Sequence, residues 1–251
     1  MPAVLVAFET TLAELRGRFE AFAEVVVNNA EIDAGKKQAL ADAVSELREA
    51  STLYEVDAKK LLTSLSTFGQ TYATELLTTN DAQHAARKAF DPNADGMRGL
   101  VKQVDLLYKL TARVADLGVD LAADDIIARA YDRRAAGRLV KQVDEERKAA
   151  IEQLKHAVYF DRQVAWLQDR FPDAELVPVP GLVKLVARAE IEGADWSLTP
   201  GRYVGVATEE EEEGFDFDQT IRDIHTELRD LNEEAAKLAA KIQESFEELA
   251  V

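Results

Sequence analysis

Apolar residues recur at alternating intervals of three and four along several long stretches of this 251-residue chain. Because that spacing places residues on one stripe of a helix, it predicts long amphipathic helices. The first stripe consists of Leu5, Phe8, Leu12, Leu15, Phe19, Phe22 and Val26. The second stripe, which has two small or polar members, consists of Leu40, Val44, Leu47, Ser51, Tyr54, Ala58, Leu61, Leu65 and Phe68.

A short polar segment separates these two stripes. Asn28 and Asn29 predict a turn there. Asp33 predicts the start of a helix, because its side chain can accept hydrogen bonds from the free N–H groups of a first turn. Helices joined by so short a loop pack antiparallel, so the chain from Leu5 to Phe68 is predicted to form a helical hairpin.

The three-four spacing fades between residues 78 and 99, which predicts a break in the helical structure. Residues 91–96 read Asp-Pro-Asn-Ala-Asp-Gly and copy the first half of an EF-hand calcium loop. The twelfth position of that loop is Lys102, where calcium requires a bidentate carboxylate. A capped turn is therefore favoured over a calcium site.

The helical spacing resumes after this break with Leu100, Val104, Leu107, Thr111 and Val114. Gly118 predicts the end of that helix, because glycine readily takes the left-handed conformation of a helix terminus. Asp124 predicts the start of a shorter helix that reaches Tyr131. Another long helix is predicted from Leu139 to Phe171, and Pro172 ends it because proline has no N–H to donate.

The last third of the sequence contains an irregular stretch before a final helix. Residues 182–192 predict a short helix, and residues from about 193 to 217 predict an irregular loop. The final helix, from about residue 218, has the apolar stripe Ile221, Ile224, Leu228, Leu231, Ala235, Leu238, Ile242, Phe246 and Leu249. The predicted fold is therefore all-α, with long antiparallel helices that form a helical bundle or coiled coil.

Composition excludes several classes of protein. The formal net charge of −17 disfavours unaided binding to nucleic acid or to an anionic membrane surface. The sequence has no cysteine, which removes disulfides and thiolate ligands and is compatible with a reducing cytosol. No uncharged apolar run reaches the roughly 18 residues that a transmembrane helix needs. These features favour a cytoplasmic protein with no membrane partner.

Local clusters of charge and of histidine have ordinary explanations. The basic cluster, which consists of Arg129, Arg133, Arg134, Arg138 and Lys141, could face phosphates. A helix face paired with Asp132, Glu145 and Glu146 is favoured instead. The glutamates at 209–213 are typical of a solvated spacer. The three histidines are too far apart in sequence to suggest a metal site, and they are His84, His156 and His225.

From about residue 157 onward the chain resembles the C-terminal region of the modification subunit of type I restriction-modification DNA methyltransferases. The strongest element is Leu-Thr-Pro-Gly-Arg-Tyr-Val-Gly at 198–205, which follows Ala-Glu-Ile at 189–191. The remaining matching segments are residues 164–172, 181–186, 188–192 and 215–217, followed by the final helix. The resemblance divides the chain into a helical region of unassigned role, 1–156, and a tail, 157–251.

The resemblance implies a role in assembly. In that family the whole subunit transfers a methyl group from S-adenosylmethionine to adenine N6, and its tail helices lie against a specificity subunit that reads the DNA. Carried over residue by residue, it predicts two sets of positions that contact the specificity subunit. The first set is Leu198, Pro200, Arg202 and Tyr203. The second set, on the final helix, is Ile221, Ile224, Leu228, Leu231, Leu238 and Ile242.

The catalytic part of that family is absent from these 251 residues. The sequence has neither an Asn-Pro-Pro-aromatic motif to hold a flipped adenine nor a Gly-x-Gly loop for the methionine cofactor. We therefore predict no catalytic, cofactor-binding or metal residue in this chain, which would be part of an enzyme and not an enzyme by itself. S-adenosylmethionine and the catalytic portion would belong to a longer or separately encoded subunit, and DNA would be an indirect partner.

Two alternatives come from other functional classes. The predicted hairpin from Leu5 to Phe68 could drive self-association of a helical scaffold. Less favoured is an acidic regulator that uses its negative charge to compete with DNA for a binding surface.

Overall fold

A computed structural model of the chain describes residues 1–72, 77–122, 127 and 129–206. Within those residues the fold is all-α, as predicted, and an isolated bridge between Val179 and Val183 is the sole β pairing. The chain divides into two compact units, Met1–Leu176 and Val177–Val251. The division at residue 157 stays a prediction from resemblance. The helices are α1 (Pro2–Asn28), α2 (Ala34–Tyr72), α3 (Asn80–Leu121), α4 (Arg133–Arg170), α5 (Arg188–Gly193) and α6 (Gly201–Val204).

The predicted hairpin is confirmed. Asp33 begins α2, since its Oδ1 accepts hydrogen bonds from the backbone N–H groups of Gly35 at 2.9 Å and Lys36 at 3.1 Å. Two ion pairs link α1 with α2 in antiparallel register: Arg16 with Glu55 at 3.0 Å, and Glu20 with Arg48 at 2.8 Å. All seven residues of the first stripe are buried, and so are the members of the second as far as Leu61.

Ser51, the polar member of the second stripe, is buried, and its hydroxyl group is hydrogen-bonded. Its Oγ donates to the carbonyl oxygen of Leu47 at 2.7 Å, a bond within its own helix. Tyr54, one turn further along, is also fully buried, and its ring packs edge-on against Phe8 with 5.5 Å between centroids. The second stripe therefore fills the interface between α1 and α2 despite its irregular composition.

The predicted break between residues 78 and 99 is confirmed only at its start, because residues 77–79 are not helical. From residue 80 to 99 the prediction is wrong, since α3 runs through that part. Thr79 caps the helix by accepting a hydrogen bond from the N–H of Ala82, and Pro92 lies inside it. Proline inside a helix costs about 3 kcal/mol. Burial of Met97 and Leu100, on the face of α3 that packs into the core, contributes roughly 1.5–3 kcal/mol each and offsets that cost. Residues 91–96 are helical, so they form neither a capped turn nor a calcium loop.

Gly118 does not end α3, which continues to Leu121. The glycine is buried inside the helix, and a Cβ added there would lie 2.6 Å from the ring of Tyr131. That ring packs against Phe22 of α1, and its hydroxyl donates to the carbonyl oxygen of Ala115 at 3.1 Å. Asp124 lies outside the described residues, and Tyr131 is not helical.

The fourth long helix completes an up-down-up-down bundle in the first unit. Its predicted end before Pro172 is confirmed, while its start lies at Arg133, where Asp132 caps the first turn. Arg147 of α4 contacts Asp105 of α3 at 2.6 Å, and Arg98 of α3 lies 3.8 Å from Asp161 of α4. These pairs show that α3 and α4 are antiparallel. Around the bundle, α1 and α3 each pack against both α2 and α4.

Candidate functional site

The predicted contact residues Leu198, Pro200, Arg202 and Tyr203 lie in the described part of the second unit, residues 177–206. This part begins with a tight turn in which the N–H of Val179 donates to the carbonyl oxygen of Val183 at 2.8 Å. The predicted helix over 182–192 is wrong in its first half, because only Arg188–Gly193 is helical.

Hydrogen bonds hold residues 197–204 in a compact loop. The hydroxyl of Tyr203 donates to the carbonyl oxygen of Ser197, which closes the loop around Leu198. Pro200 begins the short helix α6, and its carbonyl oxygen accepts from the N–H groups of Tyr203 and Val204. The structure thus brings the four predicted motif residues together on one loop.

A second contact ties this loop to the turn at residues 179–183. The N–H of Gly181 donates to the carbonyl oxygen of Val204 at 2.8 Å, and Gly181 itself has a left-handed backbone with φ of 76°. Glycine adopts such a conformation without the steric cost that a Cβ would add. The resemblance had pointed to both segments, and the structure places their backbones in contact.

Trp196, at the start of this loop, has a left-handed backbone conformation. Asp195 and Trp196 both have positive φ, at 53° and 57°, which costs roughly 1–2 kcal/mol for each residue that carries a Cβ. The guanidinium of Arg188 lies 5.6 Å from the centre of the Trp196 ring, within reach of a cation–π interaction. These contacts fix an indole that is 55% exposed.

No residue between 177 and 206 is buried. Leu198 is 78% exposed, Leu185 is 68% exposed, and Arg202 and Pro200 are also exposed, while Tyr203 is half-buried. Trp196 and Leu198 are therefore large apolar side chains of this loop that remain more than half exposed. The predicted stripe on the final helix, from Ile221 to Ile242, lies outside the described residues.

Four members of the basic cluster lie in the first turns of α4 and Arg129 lies in the turn before it, and all five are exposed. The predicted pairing is confirmed for Lys141, which contacts Glu145 at 3.9 Å. It is not found for the other acidic residues. Asp132 caps the backbone of α4, and Glu146 accepts a hydrogen bond from Gln142 at 2.9 Å.

The histidines and acidic residues form no candidate metal site in the part of the chain that the structure describes. His84 contacts the carbonyl oxygen of Pro172 at 2.9 Å, which ties the start of α3 to the end of α4. His156 is exposed on α4, and His225 lies outside the described residues. Of the described helices, none is long and apolar enough to cross a membrane.

Comparison with known proteins adds no further assignment. No protein family, curated protein or solved structure matches this chain.

Proposed function

We propose that this chain is the C-terminal assembly module of the modification subunit of a cytoplasmic type I restriction-modification DNA methyltransferase, and that its tail binds the DNA-specificity subunit. The observation that supports the proposal is the loop at 196–205, whose sequence resembles that family's motif and whose Trp196 and Leu198 side chains are more than half exposed. Adenine methylation with S-adenosylmethionine would be performed by a catalytic portion outside these 251 residues.

The residue types on this loop are those that contribute most to protein–protein binding. Tryptophan, tyrosine and arginine are enriched among the residues whose truncation weakens interfaces most. Trp196, Arg202 and Tyr203 lie within eight positions of one another, next to the exposed Leu198. Burying their apolar surface would contribute roughly 25 cal/mol for each Å² removed from water.

The loop also has hydrogen bonds of its own that do not involve a partner. The hydrogen bonds of Tyr203 to Ser197 and of Gly181 to Val204 restrict its backbone. A partner therefore does not have to supply the free energy of ordering the loop, which would otherwise reduce affinity. The left-handed conformation of Trp196 is a further reason to expect a role, because strain of this kind is concentrated at binding sites.

The self-association alternative gains less support. The stripe residues of α1, and those of α2 as far as Leu61, are already buried inside their own bundle. The acidic-regulator alternative rests on the net charge of −17 alone, with no local feature to add to it.

The proposal is tested by co-expressing the chain with the specificity subunit encoded next to it and purifying through a tag on that subunit. We expect the chain to be retained with that subunit. We expect Leu198→Asp to reduce retention at least about tenfold, because it places a charge in an apolar contact.

Leu53→Asp is the matched control, because Leu53 is 57% exposed on α2, which belongs to the first unit and not to the motif. It should leave retention unchanged. Absence of the wild-type chain from the purified material, or equal retention of both aspartate variants, would contradict the proposal.

A further inference from the structure

An apolar groove at one end of the helical bundle belongs to none of the features described so far. It lies among the end of α2, the start of α3 and the end of α4, and it has a volume of about 480 Å³. Volumes of this size are common for binding sites. Its apolar lining includes Phe68, Leu77, Ala86, Phe90, Phe160 and Val164.

Two apolar residues of this groove are exposed to solvent. Phe160 is 65% exposed and Val164 is 43% exposed, one turn apart on the same face of α4. On the opposite wall the rings of Phe68 and Phe90 pack against each other with 5.1 Å between centroids. The groove therefore has a firm aromatic wall on one side and an uncovered apolar edge on the other.

The same groove contains two buried oxygen atoms with no hydrogen-bond partner among the described residues. They are Oδ1 of Asp161 and Oε1 of Gln168, and the side chain of Asp161 is only 7% exposed. Both atoms are acceptors. A buried acceptor without a donor costs about 1–3 kcal/mol, so a ligand that brings donors would recover that free energy.

Charge around Asp161 favours a cationic donor. The charged groups that act on it are Asp91, Asp95, Arg87 and Arg98, all on α3. Together with Asp161 itself, the cluster has three carboxylates and two guanidinium groups. Burial, and next the charge of Asp91, raise the pKa of Asp161 above its ordinary value. Arg98 lies 3.8 Å from Asp161 and also contacts Asp95 at 2.5 Å, so Asp161 shares this cation with a second carboxylate.

The lining also limits the backbone conformation of a peptide ligand. The walls are helices whose interior backbone groups already bond to one another, and the carbonyl oxygen of Leu77 accepts from Gln83 Nε2 at 2.9 Å. An extended peptide would find few backbone partners here. A helix satisfies its own backbone, and it presents apolar side chains at the spacing that such a groove accepts.

We propose that this groove binds an amphipathic helix of a partner protein, with apolar side chains against Phe160 and Val164 and one lysine or arginine bonded to Asp161. The site lies in the first unit and does not depend on the function proposed for the tail. Its partner helix is defined by that chemistry: an apolar stripe with a single cation within it.

The test uses the full chain and two fluorescent synthetic peptides of about 15 residues, a length that supports partial helicity. Both have the same composition and a leucine stripe with three-four spacing. In the first peptide the lysine lies within the stripe, and in the second it lies on the opposite face. Equal net charge removes non-specific attraction to the acidic protein as an explanation.

We expect saturable binding, with the first peptide bound roughly tenfold more tightly than the second. Asp161→Asn should abolish that preference while keeping residual binding, because asparagine retains the shape but not the charge. Val164→Glu should abolish binding of both peptides. Leu106→Glu, at a residue 47% exposed on α3 and outside the groove, should bind as the wild type does.

Several outcomes would overturn the proposal. One is the absence of saturable binding of either peptide at millimolar concentration. Another is equal affinity of the wild type for both peptides, and a third is equal loss of binding in the two glutamate variants. A dimer of the free chain that Val164→Glu dissociates would show instead that a second copy occupies the groove.

Discussion

At the scale of single residues, Gly118 shows how packing can reverse an ordinary helix preference. Replacing glycine with alanine inside a helix usually stabilises it by about 0.5–1 kcal/mol. At Gly118 the new methyl group would lie 2.6 Å from the ring of Tyr131. We expect Gly118→Ala to lower the free energy of unfolding by about 1–2 kcal/mol, as measured by urea denaturation, because the ring must move.

Gly99 provides the matched control within the same helix. It is exposed, and a Cβ added there would meet nothing within 4 Å. Gly99→Ala should raise the free energy of unfolding by about 0.5–1 kcal/mol. A Gly118→Ala variant as stable as Gly99→Ala would show that Tyr131 does not occupy the space above Gly118.

Asp144 is the residue for which we predict a dependence on pH. A hydrogen bond from Lys148, with further bonds and positive charge from Arg147, holds the pKa of Asp144 below its usual value. A carboxyl whose pKa is lower in the folded state stabilises the fold above its unfolded-state pKa of about 3.9, and this stabilisation is lost as the pH falls through the folded-state pKa.

We therefore expect Asp144→Asn to be less stable than the wild type at neutral pH. The difference should shrink as the pH falls below about 3.9. Urea denaturation of both proteins across that range measures it. A constant difference at every pH would mean that charge on Asp144 contributes nothing to stability.

The residue scale also shows what the sequence could and could not predict. The buried stripe positions and the cap at Asp33 followed from spacing and side-chain chemistry alone. The packing role of Gly118 could not be predicted in this way. Tyr131 is 13 positions away in sequence, and only the folded structure places its ring against the glycine. Local sequence suggests a helix end at such a glycine, and only the tertiary contact explains it.

At the scale of the element, α3 is the helix that sequence patterns described least well. Pro92 and a short polar run indicated a break, whereas burial of one face of α3 keeps the helix continuous. Burial depends on neighbours that the local sequence does not contain. The start of α2 and the end of α4 were predicted correctly, because their signals are local.

We expect Pro92→Ala to stabilise the protein by about 1–3 kcal/mol. The substitution restores an N–H that can donate within the helix, although part of the gain is lost because alanine leaves the unfolded chain more freedom. Thermal unfolding followed by circular dichroism measures the change. Lys109→Ala, at an exposed position of the same helix, should stay within about 0.5 kcal/mol of the wild type. A destabilised Pro92→Ala would show that α3 needs the proline where it lies.

At the scale of the whole molecule, the all-α class and the long helices followed from periodicity and from the scarcity of glycine and proline. The groove beside Phe160 and Asp161 was not predicted. Its walls come from α2, α3 and α4, and part of its lining fell in the segment where a break was expected. The four motif residues from Leu198 to Tyr203 were found by resemblance, while their hydrogen-bonded loop and its exposure became visible only in three dimensions.

The distribution of buried residues leads to a prediction about how the molecule folds. Within the described chain every buried residue lies at or before Leu154, inside the first unit. Because hydrophobic burial is the main favourable contribution to folding, we expect a chain of residues 1–176 to fold by itself. Its thermal midpoint should lie within about 4 °C of that of the full chain, and its circular dichroism should be that of a helical protein.

The matched comparison is a chain of residues 1–132, which lacks α4. It leaves exposed the faces of α1 and α3 that pack against α4, because the buried core residues Val143 and Leu154 of α4 are missing. We expect it to show little cooperative unfolding, because the bundle loses one of its four helices. If residues 1–176 also unfolded without a cooperative transition, stability would have to come from the second unit, and the bundle would not be an independent folding unit.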